Sequence, residues 1–355
     1  MNPSSTSPNP EIDRTVVDPG ATTGRVDVGP DDGHSRTAVA AWASLVRIPN
    51  VFTVLADVAA GFLLVAHAPD PPERLLFVLL AAVALYWGGM ILNDVFDVEK
   101  DRRERPRRPL PAGEISVSTA RLAGYGCLVV GIMFALVSGY LPHPGLDSTW
   151  LPGGIAVALA VLVLAYDGPL KSTALGPVLM GGCRTLSFLL GAAPIVGNVF
   201  EGGGFPRYVI AAALGFGMYV MGLTTIGRRE AHHGPDDLTA SGASASMNVG
   251  TMFTIIGVVM LAFAPSIRQN LVAFRVSPSI FPLAIGLIAY PVVARAIRTA
   301  LRPEPAGIQS TVRSGILTII PLAACYAVLG SGVWGIAVFA LVAPAFWLAY
   351  RFRVT

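Results

Sequence analysis

Apolar runs of membrane-crossing length recur along almost the whole of this chain, and few soluble folds could bury so many. They fall at about 38–66, 75–96, 118–141, 151–166, 175–199, 208–226, 248–264, 280–297, 314–329 and 333–350. A spanning helix needs roughly 20 apolar residues, with ~17 as the lower limit. Several runs lie near that limit, so the count is nine or ten. In lipid a helix satisfies its own backbone hydrogen bonds, and the chain is therefore predicted to be all-α and multi-pass. The division of the last two runs rests on Gly330-Ser331-Gly332, a tight turn or a kink. Composition agrees: 53% of the residues are hydrophobic and 13% charged, against roughly 25% charged in a soluble protein.

Residues 1–36 differ in kind. Ser, Pro, Asp, Gly and Thr dominate there without hydrophobic periodicity, which predicts a disordered tail ahead of a membrane domain over 37–355. No basic start followed by an apolar core marks a signal peptide, so the first membrane helix is expected to serve as an uncleaved insertion signal. The stretch after the second run carries Lys100, Arg102, Arg103, Arg105, Arg107 and Arg108. Arg47, Lys171, Arg228, Arg229, Arg298, Arg302, Arg351 and Arg353 fall on the same side if there are ten spans. Arg74, Arg207, Arg268 and Arg275 fall on the other. The positive-inside rule then turns the N-terminus and the first of these stretches toward the cytoplasm, with the cell membrane as the expected location. The net charge of +3 gives no reason to expect a nucleic-acid partner. Cys127, Cys183 and Cys325 lie singly in apolar segments, a pattern of neither disulfides nor a zinc site.

The densest chemistry stands where the second run ends, at Asn93-Asp94-Val95-Phe96-Asp97-Val98-Glu99-Lys100-Asp101. On a helix, Asn93, Asp97 and Asp101 fall four apart on one face with Asp94 beside them. Acids at a membrane boundary must be solvated or hold a cation. Their hard oxygens suit Mg²⁺, which commonly bridges to phosphate. This combination suggests a diphosphate site at the mouth of a membrane cavity.

Other polar residues near the same side have two readings each. In Tyr166-Asp167-Gly168-Pro169-Leu170-Lys171, Lys171 could neutralise a phosphate oxygen and Tyr166 could hydrogen-bond a leaving group. The plainer reading is an interfacial Tyr with a snorkelling Lys. Arg228 and Arg229 could clamp a diphosphate through their guanidinium forks, or simply obey the positive-inside rule. Arg184, about ten residues inside its apolar run, should face a polar cavity or a carboxylate. Arg47-Ile48-Pro49-Asn50 reads as a helix start with Pro near N1. His232, His233, Asp236 and Asp237 lack the i, i+4 spacing of a zinc pair and read as a solvated loop.

Together, Asn93 to Asp101, the following Arg107-Arg108-Pro109-Leu110-Pro111-Ala112-Gly113, Arg47 to Asn50 and Tyr166 to Lys171 resemble the motifs of the UbiA family of membrane prenyltransferases. The resemblance runs from about residue 40 to 300. It implies a transmembrane helical barrel of about nine helices around a lipid-accessible cavity. Mg²⁺ on Asn93, Asp94, Asp97 and Asp101 would hold a polyprenyl diphosphate, with Asn50 and Lys171 close by. Asp94, Asp97 and Lys171 would then carry the reaction, while Asn50, Asn93, Tyr166, Arg184, Arg228 and Arg229 would bind substrate.

Two features depart from the family pattern and look like a divergent branch similar to the EboC-type members. A second Asp-rich motif is expected after the sixth helix, yet Thr224-Thr225-Ile226-Gly227-Arg228-Arg229-Glu230 stands there. Glu230 is its only acid and the only candidate ligand of a second metal, and the two arginines could supply positive charge instead. The Tyr/Lys spacing is also one residue longer than usual. The expected reaction is Mg²⁺-dependent transfer of an isoprenyl group to a lipid or small-molecule acceptor. A terpene cyclase using the same diphosphate trigger, or a cation-coupled transporter, are the alternatives.

Overall fold

The computed structural model describes residues 37–199, 204–228, 241–267 and 274–351. The 1–36 tail and the His232–Asp237 segment lie outside them. Among the described residues, nine helices are long and apolar enough to span a membrane: α2 (Ile48–Ala66), α3 (Pro72–Phe96), α5 (Val117–Tyr140), α6 (Leu151–Ala165, prolonged by a π-helical turn, Tyr166–Leu170), α7 (Gly176–Val199), α8 (Arg207–Gly227), α9 (Ser241–Phe263), α10 (Phe281–Leu301) and α11 (Pro305–Ser331). A short helix α1 (Ala38–Leu45) precedes them, and α4 (Val98–Glu104) follows α3.

The first apolar run is thus divided. Arg47 adopts φ 49° and ψ 56°, a left-handed conformation costly for a residue with a Cβ. It turns the chain between α1 and α2. A tenth span is not found at the other end. Gly332, at φ 60°, stops α11, and the remaining run breaks into α12 (Val333–Ala340) and α13 (Val342–Arg351). Neither is long enough to cross.

The spanning helices close on themselves. α2 packs on α3, then α3 on α5, α5 on α6, and so on through α7, α8, α9 and α10 to α11, which returns to α2. α2 also touches α7 directly. That contact depends on missing side chains. A Cβ on Gly61 would run into the Phe188 carbonyl, and one on Gly191 into the Val58 carbonyl, so both glycines let backbone meet backbone, as small residues do in membrane bundles. Phe188, Phe216, Phe281 and Tyr326 pack ring to ring inside, and the Tyr326 hydroxyl donates to the Leu261 carbonyl at 2.5 Å. Outward lie Leu122, Val129, Met133, Leu287 and Tyr290, all exposed, as lipid-facing positions should be.

The end away from Asn93 is tied by one cation. Arg74 is 1% exposed, and it donates to the backbone carbonyls of Leu141 (2.9 Å), Pro194 (2.7 Å) and Asp147 (3.2 Å). Charge at that depth is tolerated because the fork meets three acceptors.

Gly191→Val should force α2 and α7 apart and lower stability by about 3 kcal/mol or more. Gly286→Val, where an added Cβ meets nothing within 4 Å, should be nearly neutral. Thermal unfolding of both variants in detergent checks the pair.

Candidate active site at the Asn93 end of the bundle

Five segments converge at this end, and each presents its polar group for a local reason. α3 carries Asn93 and Asp94, 8% and 6% exposed. It ends at Phe96, with Asp97 as the joint to α4. The single continuous face expected for Asn93, Asp97 and Asp101 is therefore bent. The i→i+4 bonds Asp97 N–Asn93 O (3.0 Å) and Asp101 N–Asp97 O (2.8 Å) nonetheless persist through the bend. Asp101 is 3% exposed, while Asp97 stays partly open.

Each acid meets a cation from elsewhere. The left-handed turn at Arg47 sends its guanidinium to Asp94 at 3.0 Å, and the Arg47 carbonyl accepts from the Tyr86 hydroxyl at 3.4 Å. Arg108 bridges Asp101 at 2.6 Å and Asp94 at 3.5 Å. Its loop is held by Leu110 and Ile115, buried against Ile91, Val95, Val98 and Ala120 together with Ala41 and Leu45 of α1. Turn bonds such as Ala112 N–Arg108 O at 2.9 Å fix it further. Lys171 donates to Asn93 Oδ1 at 2.6 Å and pairs with Asp97.

The π-helical turn delivers Lys171. Gly168 leaves helical geometry there (φ −84°, ψ −118°) and Pro169 follows, so the chain bends back and points the next side chain at α3. Asp167 is buried on the same turn, within electrostatic reach of Lys171, Asp97, Arg47 and Asp94. Tyr166 lies within electrostatic reach of Asp167, Arg228, Asp97 and Cys183. Four carboxyl groups (Asp94, Asp97, Asp101, Asp167) thus face three cations (Arg47, Arg108, Lys171).

Asn50 lies near the start of α2, at the edge of the cluster. Its carbonyl accepts from Thr53 Oγ1 at 2.8 Å, and its side chain is a partner of the Tyr86 hydroxyl. Arg228 donates to the Thr173 carbonyl at 2.6 Å, which ties the end of α8 to the segment before α7. Arg229 and Glu230 lie outside the described residues. Arg184 sits deeper in the bundle, paired with Asp57 of α2.

Three of these side chains escape a reading of the sequence. Asp57 stands alone in an apolar run, and Asp167 hides in a turn signal. Arg108 looks like one more topogenic charge. The signal available for Asp57 was its type, since an acid inside a span needs a partner.

Whether Mg²⁺ suits this cluster can be judged from its donors. Among the described residues no three His, Cys, Asp or Glu side chains form a ready-made cage. Carboxylate and carboxamide oxygens nevertheless crowd one helix end, and buried Asn93, Asp94 and Asp101 each hold a guanidinium or ammonium group. The cluster is built to hold cations, and its hard oxygens are of the class Mg²⁺ accepts. The donor set fits.

The comparisons with known proteins agree with this architecture. The profile of the UbiA prenyltransferase family matches residues 54–306. A digeranylgeranylglyceryl phosphate synthase from Methanoculleus marisnigri is 32% identical over 221 residues, which cover 61% of this chain and 71% of the relative. One from Metallosphaera sedula is 30% identical over 148 residues, covering 41% of this chain and 49% of that relative. Among solved structures, a digeranylgeranylglyceryl phosphate synthase superposes with a TM-score of 0.60 at 17% identity, covering 82% of this chain and 98% of the other. A UbiA homolog from Archaeoglobus fulgidus bound to DMAPP and Mg²⁺ gives 0.53 at 15% identity, covering 84% and 99%. With nine span-length helices in a closed ring among the described residues and a family match over most of its length, the chain belongs to the UbiA prenyltransferase family of membrane proteins.

Proposed function

We propose that this protein transfers a prenyl group from a polyprenyl diphosphate to the hydroxyl of a lipid acceptor with a glyceryl phosphate head. The observation that carries the reading is the convergence of Asn93, Asp94, Asp97 and Asp101 with Lys171, Arg47 and Arg108 at one end of an apolar bundle. The acceptor class is suggested by the relatives named digeranylgeranylglyceryl phosphate synthase.

In the transfer, the C1–O bond to the diphosphate breaks and the electron pair leaves with the diphosphate. The acceptor oxygen bonds to C1, and its hydroxyl proton passes to the departing diphosphate. Asn93, Asp94, Asp97 and Asp101 would hold Mg²⁺, which when bound supplies charge stabilisation to the departing diphosphate. Lys171, Arg47 and Arg108 are preorganised donors for the same developing charge. Tyr166 is assigned as a hydrogen-bond donor to the leaving group, and Asn50 orients the diphosphate beside Arg47. The apolar walls keep water from the allylic cation. Positive-inside charge supports a cytoplasmic site in the cell membrane.

Purified full-length protein with Mg²⁺, labelled geranylgeranyl diphosphate and a panel of lipid acceptors tests the reading. Labelled ether lipid is expected. A cyclised hydrocarbon would make it a cyclase, and label bound without reaction would remove the enzyme assignment.

Asp97→Ala should abolish Mg²⁺-dependent transfer while the protein stays folded in detergent, and near wild-type turnover in that variant would contradict the site. Lys171→Met should lower kcat by about 10²–10³, the cost of one lost electrostatic donor, as steady-state rates will report. For orientation, the three cysteines are first replaced, and single cysteines are then placed at Glu104 and Asp147. Impermeant maleimide should label the first only from the cytoplasm and the second only from outside.

A further inference from the structure

The ion pair between α2 and α7 is not used by the chemistry above. Asp57 is fully buried, seven residues beyond Asn50 on α2, so it stands about 10 Å deeper in the bundle at 1.5 Å per residue. Arg184 Nε pairs with its Oδ2. Nη2 of the same guanidinium donates to the Thr53 carbonyl at 3.0 Å. Nη1 donates to none of the described residues, and Asp57 Oδ1 has no hydrogen-bond partner among them. Unlike Asp57, the Arg184 side chain is not sealed: it is 10% exposed. Tyr86 and Tyr219 lie within electrostatic reach of it.

Such a pair is a poor stabilising device. Two charges lose more by leaving water than they regain from each other unless every lone pair and proton is matched, and here they are not. About one turn beyond Asp57 on α2 and two turns beyond Arg184 on α7, Gly61 and Gly191 already bring the helices together without any charge. What the pair does accomplish is orientation. Asp57 and the Thr53 carbonyl fix two corners of the guanidinium, and the remaining N–H groups stay available for a ligand with oxygen acceptors. The diphosphate has its cations about two turns away, at Lys171, Arg47 and Arg108.

We infer that Asp57 is a positioning residue that aims the Arg184 guanidinium at the anionic head of the acceptor. The inference rests on the transferase reading given above and names the part of the site that selects a phosphate-headed acceptor over a neutral one.

The test uses the full chain with Mg²⁺, geranylgeranyl diphosphate and geranylgeranylglyceryl phosphate. Two variants are compared with wild type: Asp57→Asn, and the double variant Asp57→Leu with Arg184→Leu, whose apolar pair keeps the bundle neutral. Both should raise the acceptor KM by about tenfold or more, as expected for a lost charge-assisted bond. Binding of geranylgeranyl thiolodiphosphate should stay unchanged. Folded variants with an unaltered acceptor KM would overturn the inference, and so would a parallel loss of donor binding. Loss of folding in both variants would make the pair a structural necessity and would equally overturn it. A wild-type enzyme inactive on this acceptor would remove the proposed function as well, which separates the two failures.

Discussion

Carboxylates at the edge of a low-dielectric bundle must be matched by positive charge, and this requirement organises the protein from α1 to α7. Asp94 and Asp101 are almost fully buried, which would be prohibitive for bare anions. The cost is offset because Arg47, Arg108 and Lys171 arrive from three separate segments. Each arrival requires a special piece of backbone. A left-handed residue turns Arg47 inward, a loop anchored by Leu110 holds Arg108, and a π-helical turn carries Lys171.

The same requirement explains the gradation along the bundle axis. At the Asn93 end, several acids and several cations share a partly open cluster. Two turns deeper, a single acid and a single arginine remain, and the acid is sealed. Beyond them Gly61 and Gly191 bring α2 and α7 backbone to backbone, and the interior is aromatic and aliphatic. The dense acid–cation chemistry thus gathers at the Asn93 end, and the walls beyond the Asp57–Arg184 pair are mainly apolar. This suits a substrate with a diphosphate head and an isoprenoid tail.

Much of the fold was legible in the sequence because membrane spans are set by length and apolarity, which are local properties. The all-helical class and the family followed from them and from the Asn93–Asp101 run. Of the nine or ten spans expected, nine form among the described residues: the break at Gly330-Ser331-Gly332 was legible, but the second break that splits the last run into α12 and α13 was not, because apolarity does not report where a helix stops. The bend at Asp97 was equally invisible, since i, i+4 spacing looks the same whether a helix is straight or kinked. Among site residues, Asn93, Asp94, Asp97, Asp101 and Lys171 do come together. Arg184 was marked by its depth, yet its partner Asp57 lies more than a hundred residues away in sequence. Arg108 shows the same limit: its charge suggests topology, and only the folded loop places it on Asp94 and Asp101.

On this reading, the cations now on the cluster mark where a metal-bound diphosphate binds. A structure of the full chain with Mn²⁺ and geranylgeranyl thiolodiphosphate addresses it most directly, because anomalous scattering locates the metal without reference to activity. A metal peak bounded by Asn93, Asp94, Asp97 and Asp101 is expected, with Lys171 and Arg108 turned from the acids toward the phosphates. A diphosphate bound elsewhere, with the Arg108–Asp101 and Lys171–Asp97 pairs intact, would contradict it.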